Sequence, residues 1–274
     1  MEFDQKEPHN YSTAVVLFDG YSAHIPDHLS TIHTFIGDGV QFLGGGTGYL
    51  DRRDDKSLFC NQGKFRDATF ICLSAQKVQL GVKHGWKKKA GPFLVTNSKK
   101  NTLMELNWEN PIEVYQKTLN DLGYSLDNKA DFFQEAHRFP FGIYKKGSEY
   151  IVRDPVKVTS DGFIECFGDI PSNTIIDLLE GNEQTLTEAA EDAAKQCLNH
   201  DISGTQVLLF DCISRSLFLG KNIQKELNGI MTQLKENQPN LSLEGALSFG
   251  EVSSMGSGYL EILNKTVVLG LFYK

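Results

Sequence analysis

Leu186 to Leu198 reads LTEAAEDAAKQCL, and shortly after it Thr205 to Asp211 reads TQVLLFD. In the first stretch Leu186, Ala189, Ala190, Ala193, Ala194, Cys197 and Leu198 recur at helical spacing and make one apolar stripe. Thr185 and Glu188 supply a capping box ahead of it. A stripe built mostly of alanine predicts a helix that lies close against a sheet. The second stretch is a continuous apolar run of strand length, which predicts a strand buried on both faces. Together they place the chain in a mixed α and β (α+β) class, with two lobes of mostly antiparallel or mixed sheets and helices packed on them.

The same reading extends in both directions. TAVVLFD (Thr13–Asp19) predicts another doubly buried strand, and Leu29, Ile32, Phe35 and Ile36 predict a helix over 26–36 with Pro26 in its first turn. A short strand then runs into Gly44, Gly45, Gly46 and Gly48. Between 58 and 106, SLFC, ATFICLS, VQLGV, PFLVT and TLMEL predict successive hairpins of a largely antiparallel sheet. Ile112, Tyr115 and Leu119 predict a helix over 111–122 that Gly123 stops. The polar stretch 124–140 breaks at Arg138-Phe139-Pro140, which sets a boundary there. The expected organisation is a flexible start at 1–12, an N-terminal lobe at 13–137 and a C-terminal lobe at 138–274. In the second lobe Asp161-Gly162 predicts a tight turn, and Ile223, Leu227, Ile230 and Leu234 predict an amphipathic helix. GYLEIL and TVVLGLF predict a closing hairpin about Asn264-Lys265.

Composition narrows the function. The chain has 274 residues, 40% apolar and 23% charged, enough to build a core. Its 27 Lys plus Arg against 35 Asp plus Glu give a net charge of -8, which opposes general nucleic-acid binding by phosphate neutralisation. The apolar runs, such as Val267 to Phe272, fall short of the ~18 residues of a membrane span. The opening MEFDQKEPHNYS lacks the apolar core of an export signal, so a cytoplasmic protein is expected. Five cysteines without a Cys-x-x-Cys pair point away from a disulfide framework or structural zinc.

The glycine cluster lacks the Lys-Ser/Thr pair and following helix of a phosphate loop, so tight sheet packing or a ligand-facing bend is expected. FDCISRSLFLG (Phe210–Gly220) puts Cys212, Ser214 and Arg215 just past the carboxyl end of a buried strand, where α/β proteins bind ligands. Arg215 there either clamps a ligand carboxylate or pairs with an acid such as Asp211 or Glu251 to close the lobe. Gly250-Glu251 follows another apolar strand, and Arg215 with Glu251 would suit a zwitterion. The expected ligand-binding set is Arg215, Cys212, Glu251, Gly250 and Asn264, with Trp86 as an apolar wall. No base or oxyanion motif accompanies Cys212, so no catalytic residue is expected and the chain is read as a non-enzyme. No cofactor or metal is expected from these residues. If haem binds, His84 or His137, each beside aromatics, is its axial ligand.

In order along the chain stand VLFDG (16–20), LGGGTG (43–48), HGWKKKAGPFLVT (84–96), MELNWENPIEVY (104–115), RFPFGI (138–143) and SDGFIECFGDIP (160–171). FDCISRSLFLG, ALSFGEVSS (246–254) and LNKTVVLGLF (263–272) follow. Over nearly its whole length the chain resembles the FIST family, named for F-box and intracellular signal transduction proteins, with N and C domains. Cys-x-x-Arg, Gly-Glu and Asn-x-Thr in the family's order carry the most weight. The N domain reads as shortened ahead of VLFDG. The resemblance implies a cytosolic sensory domain that binds a small, amino-acid-like ligand and signals to a separate protein such as a histidine kinase or cyclase. Some relatives are described as haem-binding sensors of nitric oxide, which is the alternative it implies. A protein-interaction module without a ligand is the second alternative.

Overall fold

The computed structural model describes residues 11–51, 56–124, 129–144, 149–198, 204–254 and 260–273. The expected flexible start lies, up to residue 10, outside them. In chain order come β1 (Thr13–Asp19), α1 (Ile25–Ile36), β2 (Gln41–Thr47), β3 (Leu58–Cys60), β4 (Gly63–Phe65), β5 (Thr69–Ser74), β6 (Lys77–Lys83), β7 (Lys87–Lys99) and β8 (Thr102–Leu106). There follow α2 (Pro111–Asp121), α3 (Lys129–Arg138), β9 (Phe141–Ile143), β10 (Ile151–Val158), β11 (Ile164–Phe167), β12 (Ile175–Glu180) and α4 (Glu183–Cys197). The last are β13 (Gly204–Cys212), α5 (Ile213–Leu219), α6 (Ile223–Asn237), β14 (Ser242–Ser248), β15 (Glu251–Ser254), β16 (Leu260–Leu263) and β17 (Val267–Tyr273).

The two doubly buried runs each begin a parallel β-α-β unit. β1 lies parallel to β2 across α1, and β13 lies parallel to β14 across α5 and α6. The first pair sits in a sheet ordered β16-β15-β2-β1-β5, the second in a sheet ordered β14-β13-β17-β6. Strand periodicity explains the continuous apolar runs. Ala14, Val16 and Phe18 of β1 pack on α1, whereas Val15 and Leu17 face the second sheet. In β13, Val207 and Leu209 pack on α4 and α6, whereas Leu208 and Phe210 face the first sheet. The result is four layers: α1, two facing sheets, then α4 with α6. The alanine stripe lets α4 come so close that a Cβ at Gly81 on β6 would overlap the Ala193 carbonyl. Beside the layers, β10-β11-β8-β7-β12-β9 close into a barrel whose core includes Leu103, Tyr115, Leu119, Phe132 and Phe141. The class is α+β with mixed and antiparallel sheets, as expected. Among the described residues no helix is long and apolar enough to cross a membrane.

The structure corrects several local expectations. Between 58 and 106 only β3–β4 and β7–β8 are hairpins; β5 joins β1 and β6 joins β17. The reason is that Ile71 and Leu73 serve the core under α1, while Val78 and Val82 serve the core between the sheets. The closing hairpin is absent too. β16 pairs with β15, whereas β17, buried over Val267–Leu271, needs a neighbour on each side and takes β13 and β6. The chain therefore crosses from one sheet to the other at 264–266, and Lys265 takes a positive φ of 54°. The α4 capping box is Asn182 with Thr185, one turn earlier than expected. Residues 129–138 form α3 inside the polar stretch, ending at the expected break. Both sheets draw strands from either side of residue 137, so 13–137 and 138–274 interleave. Gly44 and Gly46 lie within β2, where a Cβ would overlap the carbonyls of Val16 and Phe249, so the cluster serves close packing.

Candidate functional site

The carboxyl ends of both β-α-β units open on one cavity of about 590 Å³. Gly20 to Ala23 reach it from β1, Cys212 to Ser214 from β13, and Phe249 and Gly250 from β14. This is the crevice in which open α/β sheets bind ligands. The walls are largely apolar, with Ile25, Leu50, Phe167, Leu217, Phe249 and Ile262 among them.

The floor is polar and tightly wired. Ser214 Oγ donates to Asp154 Oδ2 at 2.7 Å and lies 3.3 Å from His137 Nδ1. Lys265 Nζ donates to Ser214 Oγ at 2.9 Å and to the His137 carbonyl at 3.0 Å, and stands 3.3 Å from Asp154 Oδ2. The Lys265 side chain is fully buried, with Asp154 and the Trp86 ring (4.8 Å) meeting its charge. Asn264 Nδ2 donates to the Val152 and Phe167 carbonyls, which ties the sheet crossover to the barrel. Burial, then the Lys265 charge, hold His137 below its ordinary pKa, so its imidazole is neutral at pH 7.

Of the residues singled out in the sequence, Cys212, Gly250, Asn264 and His137 line the cavity. Arg215, Glu251, Trp86 and His84 do not, and the zwitterion clamp is thereby corrected. Arg215 is 0% exposed. Its Nε lies 3.0 Å from both Glu226 carboxylate oxygens, and Nη2 also holds Glu226. Nη1 donates to the His84 and Lys265 carbonyls and Nη2 to that of Leu186, so the fork has nothing left for a ligand. Its nearest partner is Glu226, on α6, a long-range pairing that local sequence does not display, while the Asp211 carboxylate, which the sequence offered as a partner, stands 3.8 Å from Nε. Glu251 is also 0% exposed and accepts from Ser248 Oγ (2.8 Å) and the Thr266 amide (3.2 Å). Burial, with Asp211 adding to it, pushes its carboxyl well above the usual range. Trp86 is buried behind the floor, donating Nε1–H to the Lys265 carbonyl. Arg215 and Trp86 thus brace residue 265 from behind while its ammonium reaches forward.

His84 is buried with Nε2 3.1 Å from Glu149 Oε2, and burial takes its pKa down to about 4. Burial, then Glu251, push the Cys212 thiol far above its ordinary value, so the reactive thiolate is disfavoured. Sequence reasoning missed Lys265, which reads as a turn residue, and Asp154, which reads as part of an ordinary strand.

Asp211, one residue before the end of β13, lies beside this buried group, and neither carboxylate oxygen accepts a hydrogen bond. Burial and Glu226 push it up to about 8. The folded chain therefore keeps a proton there that the unfolded chain loses above 3.8. Its stabilising contribution is full below that value and is lost as pH rises toward 8. Asp211→Asn is expected to match the wild type in thermal melts at pH 4 and to melt higher at pH 8.

Family models match residues 3–109, as the FIST N domain, and 111–254, as the FIST C domain. The N-domain match begins ahead of β1, which corrects the expected shortening there. No curated protein matches the chain. FIST domains are signal-transduction sensor domains. The cavity joins the two matched regions, taking Gly20 to Ala23 from the first and His137, Asp154 and Ser214 from the second. The chain belongs to the FIST family.

Proposed function

We propose that the chain senses a small, amino-acid-like molecule bound in this cavity and passes the bound state to a separate signalling protein. The observation that supports it is the cavity itself: apolar walls around a compact polar floor, the usual make-up of a small-molecule site. Asp154 on the floor suits an ammonium group, and Lys100 and Asn101 on the wall suit a carboxylate. Apolar walls then receive the rest of the ligand. Two sheets, the barrel and the Gly20–Ala23 loop into α1 all contribute to the lining. A ligand that binds one arrangement of these parts better shifts the population toward it, and the partner reads that shift. No step requires a nucleophile, in keeping with the raised Cys212 thiol.

Calorimetry with a panel of amino acids tests this. One member is expected to bind at one per chain. Ser214→Ala is expected to weaken it about tenfold, roughly one hydrogen bond. Leu217→Trp, at a wall position 56% exposed, is expected to fill the cavity and abolish binding without unfolding the chain. Binding untouched by Leu217→Trp counts against the reading.

One observation favours the haem alternative. His137 lines the cavity with Nδ1 beside Ser214 Oγ, and metal-bound imidazoles are oriented by such neighbours. His84, buried away from the cavity, does not fit that role. Haem bound there would supply a gas-binding iron. A Soret shift on hemin titration, lost in His137→Ala, is the result that selects this alternative.

A further inference from the structure

Arg153, on β10, is a buried cation that the sensory site leaves unused, with 6% of its surface exposed. Nε donates to the Asp169 carbonyl at 2.8 Å, and Nη1 donates to the carbonyls of Val152 (3.0 Å) and Ile262 (3.2 Å). Backbone oxygens hold the guanidinium in place but carry no counter-charge. Among the described residues no carboxylate lies within 4.0 Å of it, and Nη2 donates no hydrogen bond. Arg215, buried more completely still, has Glu226 in contact instead. The counter-charges of Arg153, the Glu261 and Asp169 carboxylates, act on it without touching it, so Nη2 is left for an incoming acceptor. Gly168, at φ +86°, helps to present it: a Cβ there would press on Nε at 3.1 Å.

Arg153 lines a second cavity of about 350 Å³ beneath α1. Leu29 on α1 and Leu260 and Ile262 on β16 form its apolar side, and the Ser30 and Thr34 hydroxyls lie at α1. The Glu261 and Asp169 carboxylates also line it. A carboxylate there repels a second negative charge on any guest, which disfavours dianions.

We propose that this second cavity binds a small monocarboxylate, its oxygens on Arg153 Nη2 and its short apolar tail against Leu29, Leu260 and Ile262. An ionised acceptor on a guanidinium is among the stronger hydrogen bonds available to a protein. The site shares Pro26, Asp169 and Ile262 with the first cavity but not its polar floor, so the inference stands apart from the sensory reading.

The test is calorimetry of the full chain with sodium butanoate and, separately, inorganic phosphate, each against sodium chloride of equal ionic strength. Butanoate is expected to bind saturably at one per chain, with phosphate at least tenfold weaker. Glu261→Gln, a substitution that spares the core, is expected to bring phosphate to within about threefold of butanoate. Arg153→Met is expected to abolish butanoate binding in chain shown by circular dichroism to be folded. Leu217→Trp, which fills only the first cavity, is expected to leave it unchanged. The proposal is overturned if butanoate gains nothing over chloride in both wild type and Glu261→Gln. It is equally overturned if phosphate matches butanoate in the wild type, if folded Arg153→Met still binds butanoate, or if Leu217→Trp removes the binding.

Discussion

Arg215→Met is expected to destabilise the fold by about 3–5 kcal/mol, the range for breaking a buried ion pair from one side. The substitution leaves Glu226, 0% exposed, without its cation, and strips a donor from the carbonyls of His84, Leu186 and Lys265. Those carbonyls lie on the β6–β7 connection, α4 and the sheet crossover, so the loss spreads over three elements. At about 2–4 °C per kcal/mol for a chain of this size, the melting temperature is expected to fall by roughly 6–20 °C. Urea unfolding of Arg215→Met and of the double variant Arg215→Met/Glu226→Leu checks the cause. The double variant is expected to recover much of the loss, because it removes the stranded charge as well. A single variant that melts like the wild type but loses ligand would instead restore Arg215 as a clamp.

Gly81→Ala is expected to cost more than the ~1–3 kcal/mol typical of an extra methyl in a packed core. The new Cβ would overlap the Ala193 carbonyl, and the Cys197 amide lies 3.2 Å away. These are backbone atoms of α4, so no rotamer change can relieve the contact, and the helix must lift off β6. Its alanine stripe then loses the surface it covers, including Val207, Val267 and Leu269. Chemical denaturation gives the magnitude, and loss of near-ultraviolet dichroism shows whether packing loosens before the fold is lost.

The elements were legible where one pattern dominated. TAVVLFD and TQVLLFD gave strands buried on both faces, and the Leu186–Leu198 stripe gave a helix pressed on a sheet, with α4 now in contact with Gly81. Pairing was less legible, because neither alternation nor a turn residue says which sheet a strand joins. β5, β6, β16 and β17 were therefore misassigned to local hairpins, although each lies in the core its apolar residues require.

The site divides along the same line. Position after a strand end was readable, so Cys212, Gly250 and Asn264 were placed on the cavity. Whether a charged residue faces ligand or protein was not, because that depends on partners distant in the chain. Arg215 is spent on Glu226, whereas Lys265 reaches Asp154 from 111 residues away in number and holds the floor from behind.

Native mass spectrometry of the chain, incubated with a small-molecule extract and exchanged into volatile buffer, tests the central claim most directly. The wild type is expected to carry one small adduct per chain, of one defined mass, that Leu217→Trp does not carry. An adduct that persists in Leu217→Trp, or a wild-type chain that remains bare under every extract, would contradict a receptor cavity at the ends of the two β-α-β units.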